Sequence, residues 1–561
     1  MKAGAIVIVG AGQAGGWAAA TLRGRGYAGR IVLLGDEPHA PYERPPLSKA
    51  VLGGQAAPES TELFSLERLA ELDITFRPGV AATRLWPERH QVETSTGAVL
   101  DYDKLILCTG GRPIVPALPG ADAAVVHVLR TRDDALRLRA RLGPGRRIVI
   151  AGGGWIGLEV AATARQAGCA TTVLEQAPRL CARSVPPGVS AHLAALHAGQ
   201  GVALRLNTSL RAVHARPEGR CVVELADGSR LEADAVVLGV GMQANDALAR
   251  EAGIACERGV LVDEYCRTSA PDVLAAGDVA VAAPAGGGPI RLESWQNAQD
   301  QGAAAALSAL DAGQPYQPSG AVWSEQYDAM VQIAGFPARA AREVLRPQAD
   351  ARALLSVALD DGGRVIGAVA VNAARELRQL RQWIAQGTQV DSAQLARADA
   401  PLSSARIDCP PDGEPNADRT HQGRLRGGRP GLFPRAGHPA PRGRRRVDGA
   451  SWHLAAPGPA ADRAARGAGG PGGARAAAHH LPRHHQPAPA GTQRIAGHGR
   501  LFPHRLRQRS ASAGRGAAPG RHPRLPGPAG RQRPGLAAGG KAQPAPSAAR
   551  MTFPKPCRKI P

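Results

Sequence analysis

Two glycine strings, one beginning at Gly10 and the other at Gly152, constrain what this chain can fold into more than any other feature. The apolar run Ala5-Ile6-Val7-Ile8-Val9 leads directly into Gly10-Ala11-Gly12-Gln13-Ala14-Gly15. A stretch of small residues follows to about Arg25, and then a second apolar run from Ile31 to Leu34. Strand, G-x-G-x-x-G, helix, strand is the context that turns a weak string into a dinucleotide-binding unit. Gly10 permits the tight turn, Gly12 lets backbone N–H groups approach a pyrophosphate, and Gly15 lets helix and sheet pack closely. The phosphates then sit on the helix N-terminus. A carboxylate at the end of the second strand would accept hydrogen bonds from an adenosine ribose; Glu37 is the first choice and Asp36 the next.

The unit returns as the strand Arg147 to Ala151, the string Gly152-Gly153-Gly154-Trp155-Ile156-Gly157, a helix, and the strand Thr171 to Leu174, ending at Glu175. Gly152, Gly154, Ile156, Gly157 and Glu175 are the candidate residues for the second nucleotide. Two such folds, the second lying between halves of the first, are the layout of a flavin enzyme reduced by a nicotinamide. Glu175 would repel a 2'-phosphate by about 4 kcal/mol at roughly 4 Å and an effective dielectric near 20. NADH is therefore expected over NADPH, with Arg179 the opposing observation, since it could reach a phosphate if its loop folded back.

Charge marks where the folded part ends. Residues 411–561 hold 28 Lys+Arg against 5 Asp+Glu, with only 14 Leu, Ile, Val and Phe. Such a segment cannot bury enough apolar surface to offset its chain entropy, so 407–561 is expected to be a disordered basic tail. Two readings of it stay open: a nucleic-acid-binding arm acting through phosphates, and out-of-frame translation of a GC-rich gene. The histidine cluster His479, His480, His484 and His485 lacks the supporting pattern of a metal site, and no metal is expected. The eight cysteines form no C-x-x-C pair, so disulfides are not expected and the compartment is read as cytoplasmic. Ala3 to Leu22 lacks charges, but its glycines belong to the fingerprint rather than to a signal peptide or a span.

Near residue 270 the chain reads Thr268-Ser269-Ala270-Pro271-Asp272-Val273-Leu274-Ala275-Ala276-Gly277-Asp278. Asp278 could accept from a flavin ribityl hydroxyl, with Gly277 allowing close approach. Further motifs follow one order: Pro41-Tyr42-Glu43-Arg44-Pro45-Pro46-Leu47-Ser48-Lys49, Thr109-Gly110-Gly111-Arg112-Pro113, Glu293-Ser294-Trp295-Gln296-Asn297-Ala298 and Trp323-Ser324-Glu325-Gln326-Tyr327. With both fingerprints, residues 4 to about 406 resemble the NADH-dependent ferredoxin reductase components of bacterial ring-hydroxylating (Rieske-type) dioxygenase systems, which are FAD-dependent pyridine nucleotide oxidoreductases. The resemblance implies an α/β fold of two Rossmann-like, glutathione-reductase-like dinucleotide domains with a small α+β C-terminal domain. FAD would be held by 1–112 and 240–318, NAD by 113–239, and the reductase C-terminal domain would span 319–406. It further implies FAD contacts at Arg44, Lys49, Thr109, Gly110, Arg112, Trp295 and Trp323, and a pair between Lys49 and Glu159 beside the nicotinamide. The helix after Trp295 should aim its N-terminus at the flavin. The stretch Gly320 to Trp323 lacks the family's usual proline and first aromatic, and Glu325 stands for a shorter Asp.

Relatives of this fold that reduce disulfides carry a cysteine pair soon after the first fingerprint, and none lies within residues 36–60. Electrons are then expected to leave the chain, two arriving together from NADH and departing singly. The implied acceptor is a small [2Fe-2S] ferredoxin and, through it, a terminal oxygenase. Rubredoxin, or the ferredoxin of a haem monooxygenase, is the alternative acceptor. A redox-sensing flavoprotein acting by partner binding is the non-enzyme alternative. For an acidic ferredoxin, the helix bearing Arg375, Arg378, Arg381 and Trp383 is a candidate dock, and Arg291 a second; a solvated helix face is the blander reading. No membrane partner is expected, and nucleic acid only through the tail.

Overall fold

The run Ala5–Val9 forms the central strand of a five-stranded parallel sheet, in the order Val273–Ala275, Lys104–Leu107, Ala5–Val9, Arg30–Leu34, Ile74–Arg77. Register is set by Ile6 opposite Ile31 on one side and Lys104 on the other. An unbroken apolar run suits a strand covered on both faces. One face packs on Ala18 and Ala19 of the helix Gln13–Gly24 and on Ala305 and Ala306 of the helix Trp295–Ala309. The other packs on Leu85, Val92 and Leu100 of a three-stranded antiparallel sheet.

The computed structural model describes residues 4–283 and 288–407. The basic tail and its histidine cluster lie outside these residues, and so do the expectations made of them.

The second fingerprint repeats the design. Arg147–Ala151 is central in a parallel sheet ordered Ala203–Arg205, Ala170–Leu174, Arg147–Ala151, Ala235–Leu238, Val126–His127. It too carries a three-stranded antiparallel sheet on one face, through Val213, Val223 and Leu225. Between the two layers the chain crosses twice, and the crossings are zipped as an antiparallel pair, Gly111–Pro113 with Met242–Ala244.

After residue 320 comes a five-stranded antiparallel sheet from Val322–Gln326 to Val365–Val371. Alternation along its strands feeds two cores. Val357, Leu359, Ala368 and Ala370 pack under the helix Ala374–Gln386. Val331, Ile333, Val369 and Val371 pack against Leu158 and Leu193 of the second nucleotide layer, which brings the strand Val322–Gln326 up to the helix Trp155–Gln166. On Ala374–Gln386, Arg375, Arg378 and Arg381 are exposed. Trp383 is not: it is 4% exposed and belongs to the core with Leu377 and Leu380. The candidate dock on this helix is thus arginine alone. Among the described residues no helix is long and apolar enough to cross a membrane.

Candidate functional site

Of the residues assigned to the two nucleotides in the sequence, all but Gly15, Gly157 and Gly277 line one cleft of about 1390 Å³. Those three glycines stand behind it, where packing rather than access explains them. A Cβ on Gly15 would meet the Gly10 carbonyl oxygen at 1.9 Å, and one on Gly157 the Gly152 oxygen at 2.0 Å. A Cβ on Gly12 or Gly154 would meet nothing within 4 Å, so both fingerprint helices begin at open backbone facing the cleft. Gly10 and Gly152 take φ of +108° and +112°, a turn that a side chain rarely adopts.

At the first layer Glu37 is held on both oxygens. Tyr42 Oη donates to Oε2 at 2.5 Å and Arg44 Nη2 to Oε1 at 2.8 Å. Asp36 beside it is exposed and also lines the cleft. Arg44 Nη1 donates to the Arg130 carbonyl at 2.6 Å, and Arg130 Nη2 pairs with Asp278 at 2.8 Å. Arg130 Nε is buried without a partner, a donor left for a ligand in a cleft that the starts of both fingerprint helices also face. This donor set fits a dinucleotide. Thr109 and Arg112 are tied together through Asn245: Thr109 Oγ1 donates to the Asn245 carbonyl at 2.7 Å, and Arg112 Nη1 to Asn245 Oδ1 at 3.0 Å. Gly110 has φ +63° between them. Gly277 N donates to Gln301 Oε1 at 3.0 Å.

Trp295 opens its helix directly after the cap Ser294, whose Oγ accepts from Asn297 N at 3.2 Å. With its amide oxygen turned toward them, Gln13 accepts from the indole N–H groups of Trp295 and Trp17, each at 3.1 Å. Arg291 is not free to dock a partner: it is bound to Glu293 at 2.6 Å and to the Asp278 and Met242 carbonyls.

At the second layer Glu175 accepts from Gly153 N and Ala177 N, both at 2.7 Å, and so pins the glycine loop to the strand that follows it. Arg179 turns away, donating to the Val185 and Ala182 carbonyls and to Ser190 Oγ. The opposing argument from its charge therefore loses its geometry. Ile156 is 45% exposed at the mouth of the helix, an apolar face turned into the cleft.

Lys49 and Glu159 meet where three segments converge. Their salt bridge is 2.9 Å long, with side chains 14% and 4% exposed. Glu159 Oε2 also accepts from Ser48 Oγ at 2.5 Å, and Oε1 from Ser324 Oγ at 2.6 Å. The Lys49 ammonium stands 4.9 Å from the centre of the Trp323 ring and donates to the Pro45 carbonyl at 3.0 Å. Burying such a pair costs desolvation energy, so its use is to hold charges in place more than to stabilise the fold. Glu325, the departure from the expected Asp, is exposed and does not line the cleft.

Two thiols border the cleft, Cys108 just past the strand Lys104–Leu107 and Cys181 in a turn after the strand Ala170–Leu174, with no disulfide. Burial pushes the Cys108 thiol far up and that of Cys181 up to about 12. Neither supplies the thiolate that sulfur chemistry needs.

Sequence reasoning did not single out Arg130, Asn245, Ser48 or Ser324. The two serines had a signal, each being the neighbour of a chosen residue, Lys49 or Trp323. The other two had none, because their roles exist only once the layers fold together.

Comparison with known proteins agrees with this geometry. Residues 4–302 match the family model described as pyridine nucleotide-disulphide oxidoreductase, and residues 321–406 the model described as reductase C-terminal. Rhodocoxin reductase of Rhodococcus erythropolis is 37% identical over 71% of this chain and 94% of its own length. The ferredoxin--NAD(+) reductase component of the p-cumate 2,3-dioxygenase system of Pseudomonas putida is 37% identical over 72% of this chain and 98% of its own. The corresponding component of the anthranilate 1,2-dioxygenase system of Burkholderia cepacia is 38% identical over 71% and 98%. Among solved structures, putidaredoxin reductase in its covalent complex with putidaredoxin superposes with a TM-score of 0.69 at 34% identity, over 72% of this chain and 98% of that one. The ferredoxin reductase of the CYP199A2 system from Rhodopseudomonas palustris does so with 0.69 and 34%, over 72% and 100%. The chain therefore belongs to the pyridine nucleotide-disulphide oxidoreductase family, as an FAD- and NADH-using member that carries the reductase C-terminal module.

Proposed function

We propose that the protein is a ferredoxin–NAD(+) reductase, passing electrons from NADH through FAD to a small [2Fe-2S] ferredoxin that feeds an aromatic-ring dioxygenase. The observation that carries the reading is a two-nucleotide cleft whose two lining thiols among the described residues, Cys108 and Cys181, are buried and not paired with each other. Bound FAD would accept a hydride as two electrons and release them one at a time. The chain's own part is orientation and electrostatics, and no side chain need move a proton for the hydride.

In this reading Gly10, Gly12, Asp36, Glu37, Arg44, Thr109, Gly110, Arg112, Asp278, Trp295 and Trp323 hold FAD, joined by Arg130, with Gly15 and Gly277 packed behind them. Gly152, Gly154, Ile156 and Glu175 hold NADH, with Gly157 packed behind them. Lys49 and Glu159 serve both. The helix Trp295–Ala309 would favour negative charge at its N-terminus by roughly 0.3 to 1 kcal/mol, up to about 2 where partly buried. Residues 1–112 with 240–318 form the FAD domain, 113–239 the NAD domain and 319–406 the C-terminal domain. The zipped crossings at Gly111–Pro113 and Met242–Ala244 support those boundaries. The cysteines among the described residues are free, which fits a cytoplasmic location.

A reductase for the ferredoxin of another oxygenase is the second reading, favoured by the resemblance to the CYP199A2-system reductase. Anaerobic NADH reduction of the purified protein, followed by mixing with oxidised ferredoxins of each class, separates them. Fast reduction of dioxygenase-type ferredoxins and slow reduction of the others is expected; the reverse order would reassign the partner.

A further inference from the structure

The Lys49–Glu159 pair is reached from behind by a row of side chains that nothing in the proposed reaction uses. Ser324 and Gln326 alternate on the strand Val322–Gln326 and are 1% and 0% exposed; His197, on the helix Pro187–Gly199, is 0% exposed. Gln326 Nε2 lies 3.1 Å from Ser324 Oγ, and Gln326 Oε1 lies 2.8 Å from His197 Nε2. Ser324 Oγ donates to Glu159 Oε1. On its other nitrogen, Nδ1, His197 faces Tyr327 Oη at 3.4 Å.

We infer that Ser324, Gln326 and His197 are positioning residues, a one-way chain of donors that ends on Glu159 and, through it, fixes the Lys49 ammonium in the cleft. The inference rests on the reading of Lys49 and Glu159 given above. The direction follows from counting protons. Ser324 has one hydroxyl proton, and the carboxylate, which can only accept, takes it. Ser324 Oγ must then accept from the Gln326 amide N–H, which leaves Gln326 Oε1 to accept from His197. His197 is thereby the Nε2–H tautomer, and its bare Nδ1 is turned to the Tyr327 hydroxyl. Were the Gln326 amide reversed, its oxygen and the carboxylate would compete for the same serine proton, and one buried acceptor would go without. Burial also lowers the His197 pKa from its ordinary 6.5, which agrees with a neutral ring. The strand holds both ends of the ion pair: Trp323 lies against Lys49 and its neighbour Ser324 against Glu159.

The chain joins the helix Pro187–Gly199 and the C-terminal sheet to the charged pair, a link between separate segments that only the folded molecule makes. A role confined to packing would make the same contacts but would not be felt through Glu159. The test therefore compares His197→Phe, which fills the space without a donor, and His197→Gln, which restores one, each in the full-length holoprotein with Glu159 intact and with Glu159→Gln. Two quantities are read: the single-turnover rate of flavin reduction by NADH, and the dissociation constant of NAD+ from its difference spectrum without turnover. His197→Phe should slow reduction or weaken NAD+ roughly three- to tenfold, the worth of one buried hydrogen bond. His197→Gln should recover most of that loss, and neither change should matter in the Glu159→Gln background. Equal losses in both backgrounds, or none in either, would overturn the proposal. Independently of any activity, 15N NMR of the imidazole should show the Nε2–H tautomer at neutral pH; the Nδ1–H form would overturn the chain even if the protein reduces ferredoxin as proposed. Absence of ferredoxin reduction, with the tautomer and the Glu159-dependent effect both seen, would instead overturn the functional reading.

Discussion

At the scale of single residues, the site depends on charges that are expensive to leave alone. Glu159→Ala strands a Lys49 ammonium that is only 14% exposed and removes the acceptor of two serine hydroxyls. Breaking one side of a buried pair costs about 3 to 5 kcal/mol, whereas replacing both sides with apolar groups is often neutral. Urea unfolding should therefore find Glu159→Ala less stable than the double variant Lys49→Met with Glu159→Leu. A double variant as unstable as the single one would show that the loss lies in packing, not in charge. Individual residues were unevenly legible. Glu37, Glu175 and the fingerprint glycines could be chosen because each role is set by its neighbours in sequence. Arg130, Asn245 and His197 could not, since their partners Asp278, Thr109 and Gln326 lie far off along the chain.

At the scale of elements, the two fingerprints separate fold from function within six residues. Gly15 supports the packing of helix on strand, where an added Cβ would strike the Gly10 carbonyl, and Gly12 faces open cleft. Gly15→Ala should lower the melting temperature of the apoprotein, while Gly12→Ala should leave it within a degree or two and weaken FAD instead. Differential scanning fluorimetry and FAD titration check the two halves; an equal thermal loss in both would refute the division of labour. The strand–glycine–helix units were readable because hydrophobic period and turn chemistry agree there. Trp383 was misplaced although its period was available: it falls three residues after Leu380, on the buried stripe, while the arginines occupy the opposite face. The antiparallel C-terminal sheet was implied only by resemblance, and its contact with the second nucleotide layer had no local signature.

At the scale of the whole molecule, stability should depend on pH in a defined direction. Burial lowers the pKa of His127, His192 and His197 below the ordinary 6.5. The unfolded chain then binds more protons than the native one between the folded values and 6.5. Stability is thus fully present above about pH 6.5 and is lost as pH falls through that window, by at most about 1.4 kcal/mol per pH unit for each histidine. Burial raises the carboxyls of Glu43 and Asp300, whose contribution has the opposite sign and begins from their lower ordinary values. Comparing the parent with His197→Gln isolates the histidine term: the variant should show the shallower fall between pH 7 and 5.5 by urea unfolding, and an unchanged slope would mean that His197 does not titrate on unfolding.

The architecture makes one demand on the molecule as a whole: two nucleotides share a cleft, and electrons that arrive as a pair must leave it singly for an outside acceptor. The direct measurement is an anaerobic titration of the yellow holoprotein with NADH in the presence of excess oxidised [2Fe-2S] ferredoxin, following both chromophores. Two ferredoxins reduced for each NADH consumed, unaffected by prior thiol alkylation, is the predicted result. A protein that binds no FAD, or one whose flavin is reduced by NADH yet reduces ferredoxin only while its thiols are free, would contradict it.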